Sequence, residues 1–451
     1  MDRAKLLGEE KIGKLLLKFS IPAIVGMVVN ALYNIVDRIF IGNFVDSLGL
    51  AGVTVAFPVM IIIMAFGMLV GIGATSLISI KLGEGSKDEA ELILGNAMVL
   101  LVIFSATVSV LGLIFLDPLL RLFGASPQVL PYSKAYLSII LFGAVFQTIG
   151  FGMNNFIRAE GNPKRAMSTM LIGAILNTIL DPIFIIAFNM GIRGAALATI
   201  ISQAVSAAWV LSYFLGGKSS LVVKKENWKL NIKTVANILA IGSAPFAMQV
   251  AASGITTLLN HSLRIYGGDL AISAYGAINS FSTILLMPIF GINQGSQPII
   301  GFNYGAKKFD RVKKTFLLAI MAATSFTIIG FIVTRLFPEQ LVALFNSKDR
   351  ELIEIGANGM KIFFTMLPLI GFQIVSSNYF QATGKPKQAM FLSLSRQVLM
   401  LIPAILILPR FFGLNGVWMA GPTADFFATL LTGSFILYEL RNLQSRHDEN
   451  Q

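Results

Sequence analysis

RAEGNPKRAM at residues 158–167 returns as QATGKPKQAM at 381–390. Ala159, Gly161, Pro163, Lys164, Ala166 and Met167 match Ala382, Gly384, Pro386, Lys387, Ala389 and Met390, each 223 positions on. Other pairs keep nearly the same offset: Pro22 with Pro245, Gly73 with Gly295, Gly83 with Gly305, and Gly194 with Gly416. One local match arises by chance. Several in register across most of the chain mark an internal repeat, which decides the fold before any single element does.

The repeat unit is a set of membrane spans. Of 451 residues, 55% are hydrophobic and only 13% charged, more apolar surface than a soluble domain can hide. Twelve apolar stretches are long enough to cross a hydrocarbon core: 15–42, 52–80, 92–116, 130–157, 166–188, 194–216, 235–265, 271–302, 313–337, 352–382, 388–409 and 413–438. Six spans per half is an even number, so both copies enter the membrane in the same sense as a parallel repeat. The expected organisation is a first lobe over 1–216, a cytoplasmic linker over 217–234, a second lobe over 235–440 and a short tail over 441–451. The mixed charges of MDRAKLLGEEKIGK, with no small-residue cleavage site after them, read as the lead into a retained first span.

The net charge of +12 invites a nucleic-acid reading, which its distribution rejects. Lysines and arginines concentrate at the termini and after even-numbered spans, which places both termini on the cytoplasmic side of a cell membrane. The chain has no cysteine, so thiolate metal sites and cysteine nucleophiles are excluded. Its two histidines, His261 and His447, offer no histidine-rich metal site and no nucleophile–base constellation for an enzyme. No cofactor is expected.

Ionisable side chains at membrane depth are costly and mark function. Asp37 falls in the first span within NALYNIVDRIFIG and Asp181 in the fifth within LNTILDPIF. A rise of about 1.5 Å per residue from the inner edge puts them at similar depth. Each acid has polar company on its own helix face: Asn30, Tyr33, Asn34 and Asp37 follow i, i+3, i+4, i+7 spacing, and Asn177 precedes Asp181 by four. Pro182 removes a backbone donor beside Asp181 and can open the helix there. Two carboxyls amid neutral oxygens suit a proton or a sodium ion. The bland alternative is that both acids face outside water. The second half lacks acids at corresponding places. Its buried charges are Arg396 and Asp425, read as a mutual strut or a gate, and its amides, Gln297 among them, read as interhelical hydrogen bonds or weak cavity contacts. The many Phe and Met residues suit core, lipid-facing surface and an adaptable pocket for hydrophobic cations.

LYNIVDRIFIG, LNTILDPIF, the repeated pair above and the late SRQVL, GLNGVW and PTAD together resemble the multidrug and toxic compound extrusion family in its DinF-like branch. The resemblance covers essentially the whole chain. It implies an all-α, V-shaped pair of six-helix lobes that exports small-molecule drugs and organic cations in exchange for protons or sodium ions. A monomer among membrane lipids is the default expectation. The resemblance also implies an N-lobe cation site at Asp37, Asn177 and Asp181, with Thr199, Tyr136 and Asn154 carried over, and a bending role for Pro22. The alternative within the same superfamily is a flippase for lipid-linked precursors, against which the cavity acids argue.

Overall fold

The computed structural model describes residues 3–45, 47–344 and 349–448. Ten helices within it are long and apolar enough to span a membrane. Arg350–Phe363 and Leu367–Ala382 form one further span, bent by 51°. The stretch Pro386–Arg441 is two spans, parted at Gly413, whose backbone leaves the helical region at φ 57°. Twelve spans therefore exist among the described residues. They are α1 (Ile12–Phe44), α2 (Ser47–Gly83), α3 (Lys87–Ile114), α4 (Leu130–Ala159), α5 (Pro163–Ala187) and α6 (Gly191–Leu215) in the first half. The second half has α7 (Ile232–Gly268), α8 (Leu270–Gly305), α9 (Phe309–Leu336), the broken α10, α11 (386–412) and α12 (414–441). No strand occurs among the described residues.

The repeated decapeptide is a helix corner. In the first copy the Asn162 amide donates to the Ile157 carbonyl (3.1 Å) and the Gly161 amide to Arg158 (2.9 Å), with Gly161 left-handed at φ 87°. In the second, Lys385 donates to Phe380 (2.8 Å) and Gly384 to Gln381 (3.1 Å), with Gly384 at φ 71°. This is a Schellman cap, which needs a residue free of a Cβ clash at the left-handed position. Pro163 and Pro386 then open the next helix, where a missing amide hydrogen costs nothing. Cap and proline together fold α4 back onto α5 and α10 onto α11.

The repeat is also the symmetry of the packing between halves. A Cβ on Gly83 would fall on the carbonyl of Phe302, and one on Gly305 on the carbonyl of Ile80. Each contact is the other moved on by 222 positions. Gly73 and Gly242 likewise meet across α2 and α7, and Gly295 meets Ser20 across α8 and α1. These close approaches lie in the halves of the helices nearest the chain termini, where small residues let backbones touch. Toward the other side the continuing faces of α7 and α8 are exposed and polar, at Thr257, His261, Asn279 and Thr283. Polar faces at hydrocarbon depth require water rather than lipid. Halves that part there, as in the V shape that the resemblance implies, would wet these faces.

The broken α10 departs from the single span expected over 352–382. Its helix stops at Phe363 and restarts at Leu367, with Pro368 in the first turn. A residue before proline disfavours helical geometry, so the break falls where TMLPL makes it cheapest. The helix α1 runs through Pro22 without interruption.

Segment 217–231 is tied to the first half of the chain. The fully buried Asn96 donates to the carbonyls of Asn227 (2.9 Å) and Lys229 (3.2 Å) and accepts from the Asn231 amide (2.8 Å). Glu160, also fully buried, accepts from Tyr213 (2.8 Å), the Ser220 amide (3.1 Å) and the Ser219 hydroxyl. Of the expected tail 441–451, residues 449–451 lie outside the described ones.

Candidate functional site

Four helices of the first half converge on the two acids. Asn177 and Asp181 share one face of α5, four residues apart, and the Asn177 amide donates to Asp181 Oδ1 (3.4 Å) and to Thr199 Oγ1 on α6 (3.5 Å). The Thr199 hydroxyl donates to the Ala195 carbonyl one turn back (3.0 Å). Tyr136, from α4, brings its phenol against the Thr199 hydroxyl and stands close to Tyr33, Asp37 and Asp181. The Asp37 carboxyl, from α1, lies within hydrogen-bond reach of the Asp181 carboxyl. Asp181 is fully buried and Asp37 is 8% exposed.

The local sequence explains why α5 can deliver Asp181 there. Pro182 has no amide hydrogen, and the five residues after it, Ile183–Ala187, form a π-helical turn. Such turns widen the helix and accompany functional sites. The absent Cβ of Gly194 lets α6 press onto this turn, because an added one would come within 2.8 Å of the Phe184 carbonyl. That contact holds Thr199 beside Asn177.

Chemically the cluster is two carboxyls ringed by an amide, a hydroxyl and a phenol. Asp181 Oδ2 and Asn177 Oδ1 are buried and receive no hydrogen from the protein. Buried acceptors without a donor are expensive. Two carboxyls in contact relieve that cost by holding a proton between them, or a hard cation that takes oxygen ligands. No group of three or more His, Cys, Asp or Glu placed to hold a metal ion occurs among the described residues.

Asp37, Asn177, Asp181, Thr199 and Tyr136 are thus brought together, with Tyr33 at their edge. Asn30 is exposed one turn earlier on α1, and the Asn34 side chain lies outside the described ones. Asn154 is elsewhere, contrary to expectation. Its amide faces the Ala166 carbonyl (3.0 Å) and the Thr169 hydroxyl (3.2 Å), and its oxygen accepts from Arg158 (2.8 Å). Ala166 and Thr169 sit in the first turns of α5 and Arg158 in the last turn of α4, and the fifteen residues from Ala166 to Asp181 span roughly 22 Å of helix. Gln297 also leaves the cavity set: it is buried and donates to Ser76 (2.9 Å), bonding the two halves to each other. Arg396 and Asp425 pair at 2.6 Å.

Arg158 was not singled out by sequence reasoning. It is 4% exposed and donates to Gln294 of the other half (2.6 Å) and to Asn155 (3.2 Å). The available signal was that its repeat counterpart, Gln381, is neutral. Tyr136 and Thr199 had no spacing signal and entered only through resemblance.

A profile of the MatE family matches residues 22–183 and 244–406, one segment in each half. The chain belongs to the MatE family. Among curated proteins, this MatE chain is 28% identical over 434 residues to the multidrug export protein MepA of Staphylococcus haemolyticus, covering 96% of this chain and 95% of MepA. Among solved structures it is similar to the MATE multidrug transporter DinF-BH, solved in complex with a small molecule, with 43% identity, a TM-score of 0.89 and 95% and 96% of the two chains covered. An outward-facing MATE family transporter of the MOP superfamily shares the fold at a TM-score of 0.92 and 24% identity, over 99% of each chain. The family and branch expected from the sequence stand, and an enzyme is set aside.

Proposed function

We propose that this MatE chain is an antiporter that exports hydrophobic, often cationic organic compounds across the cytoplasmic membrane, driven by inward movement of a proton or sodium ion. The single observation that carries the coupling is the contact between the Asp37 and Asp181 carboxyls inside a buried cluster of oxygens. Export of drugs is carried over from MepA and from the multidrug transporter DinF-BH.

In this reading the lobes are residues 1–216 and 235–440, the segment 217–234 is a cytoplasmic linker, and both termini are cytoplasmic by the distribution of lysine and arginine. The chain works as a monomer. The cleft opens away from the termini, so the acids are reached from outside. A cation arriving there removes negative charge between α1 and α5, which weakens the hold on a cationic drug in the cleft; drug binding from the cytoplasm acts in reverse, as reciprocal coupling requires. The lobes rock about the glycine contacts at Gly73, Gly83, Gly242 and Gly305. Each unit of charge moving inward across 100 mV supplies about 2.3 kcal/mol.

The test is transport in proteoliposomes with proton and sodium gradients imposed separately. One of the two is expected to drive dye export, and Asp181→Asn is expected to abolish it while leaving a folded, monodisperse protein. Export at the parental rate by that variant would overturn the assignment.

A further inference from the structure

A second site lies outside this machinery, on the face that carries the chain termini. A cavity of about 760 Å³ opens where the N-terminal helix Arg3–Glu9 and the start of α1 meet the start of α9, lined by Lys11, Lys14, Arg311 and Lys314 on the cationic side and Glu9 and Asp310 on the acidic side. Arg311 is held by neutral acceptors, the Asn303 side chain (2.9 Å) and the carbonyls of Leu7 (3.1 Å) and Glu10 (2.7 Å). Its charge therefore stays unneutralised in the wall. Glu10 is engaged by both Lys14 (2.7 Å) and Lys18 (3.5 Å), one acid between two bases. Positive charge is in surplus.

The walls continue upward as apolar stripes. Leu17 and Ile21 follow Lys14 at i+3 and i+7 on α1, with exposures of 60% and 54%. Leu318 and Met321 follow Lys314 at i+4 and i+7 on α9, with Met321 64% exposed. Residues so spaced share one helix face. A cationic cavity at the membrane surface that runs into an apolar track on two helices matches a headgroup phosphate joined to acyl chains.

We propose that this groove binds an anionic phospholipid, its phosphate among Lys11, Lys14, Arg311 and Lys314 and its chains along Leu17, Ile21, Leu318 and Met321. The cytoplasmic leaflet as its source rests on the orientation proposed above. Because α1 belongs to one lobe and α9 to the other, the lipid straddles the seam about which the lobes rock.

The full-length protein in nanodiscs of mixed phosphatidylethanolamine and phosphatidylglycerol, released into native mass spectrometry, reads the retained lipid. The two leaflets of a nanodisc are equivalent, so failure of the orientation leaves this test intact. Phosphatidylglycerol is expected to be retained preferentially, and Lys11→Gln with Lys314→Gln to weaken retention about fivefold for each lysine removed. Lys225→Gln with Lys229→Gln, on the linker, removes the same charge and is expected to change retention little. Leu17→Ala with Met321→Ala is expected to loosen the lipid while inorganic phosphate fails to displace it from the parent. Equal loss in the linker variant would reduce the effect to general charge attraction, and displacement by millimolar phosphate would make it a site for free anions. Either result overturns the proposal.

Discussion

Asp37 on α1 and Asn260 on α7 stand 223 positions apart, at corresponding turns of the two halves. Before them the stripes also correspond: Asn30 with Ser253, and Asn34 with Thr257. Both halves thus keep a polar stripe on their first helix, but only the first half makes it acidic. The partner acid is missing as well, since the same offset carries Asp181 to Ala404. Packing differs in step with charge. In the first half Tyr136 and Ala196 belong to one apolar cluster. At offsets of 223 and 222 the second half has Gly359 and Trp418, and the absent Cβ of Gly359 leaves room for the Trp418 ring. The bulky residue has crossed from one helix to the other. Duplication preserved the caps and the close helix contacts, which any such frame needs. The acids are among the positions at which the halves diverged.

The comparison can be broken hardest at the acids. Asp181→Asn is expected to reduce coupled export to background, measured as dye efflux, whereas Asn260→Ala on the other lobe retains most of it. Comparable losses from both would mean that the coupling is shared. Next in size is the ion pair of the second half. Asp425→Asn leaves the partly exposed Arg396 guanidinium without its carboxylate, at a cost below the roughly 3 kcal/mol of a fully buried pair. The thermal midpoint should fall, and the Arg396→Met, Asp425→Leu double variant should recover part of the loss if the pair serves only as a strut.

The shared frame offers finer tests. Gly83→Ala and Gly305→Ala each drive a Cβ onto a backbone carbonyl across the seam, an overpacking worth about 1–3 kcal/mol. Their shifts in thermal midpoint should agree closely, because the two contacts are one contact repeated. Unequal shifts would show that the seam is asymmetric in energy as well as in charge. Smallest are the caps. Gly161→Ala and Gly384→Ala put a side chain into left-handed backbone at about 1–2 kcal/mol each, and matched chemical denaturation of the two variants reads whether both corners bear equal strain.

The spans, the parallel repeat and the two acids were legible because each has a strong local signature: long apolar runs, matched glycines and prolines, and charge where lipid tolerates none. Tyr136 and Thr199 were not, since tyrosine and threonine are ordinary in membrane helices and nothing in their spacing points at Asp181. Asn154, carried over by resemblance alone, bonds Arg158 at the end of α4 and faces the start of α5, whereas Gln297 makes one of the interhelical hydrogen bonds its amide suggested, to Ser76 across the seam, rather than a cavity contact. The break in α10 was also missed, because Pro368 alone does not say whether a helix bends through or restarts.

The amino-acid sequence by itself determined the membrane class, the helix count, the duplication and the presence of two acids in one half. These follow from hydropathy, periodicity and the special backbone demands of glycine and proline, all of which act within a few residues. Only the tertiary structure decided that Asp37 and Asp181 come within hydrogen-bond reach, that Tyr136 and Thr199 stand beside them, and that the halves meet through glycines. Those facts depend on which helix faces pack together, and that choice is made by shape complementarity among residues on different helices, well separated in the sequence.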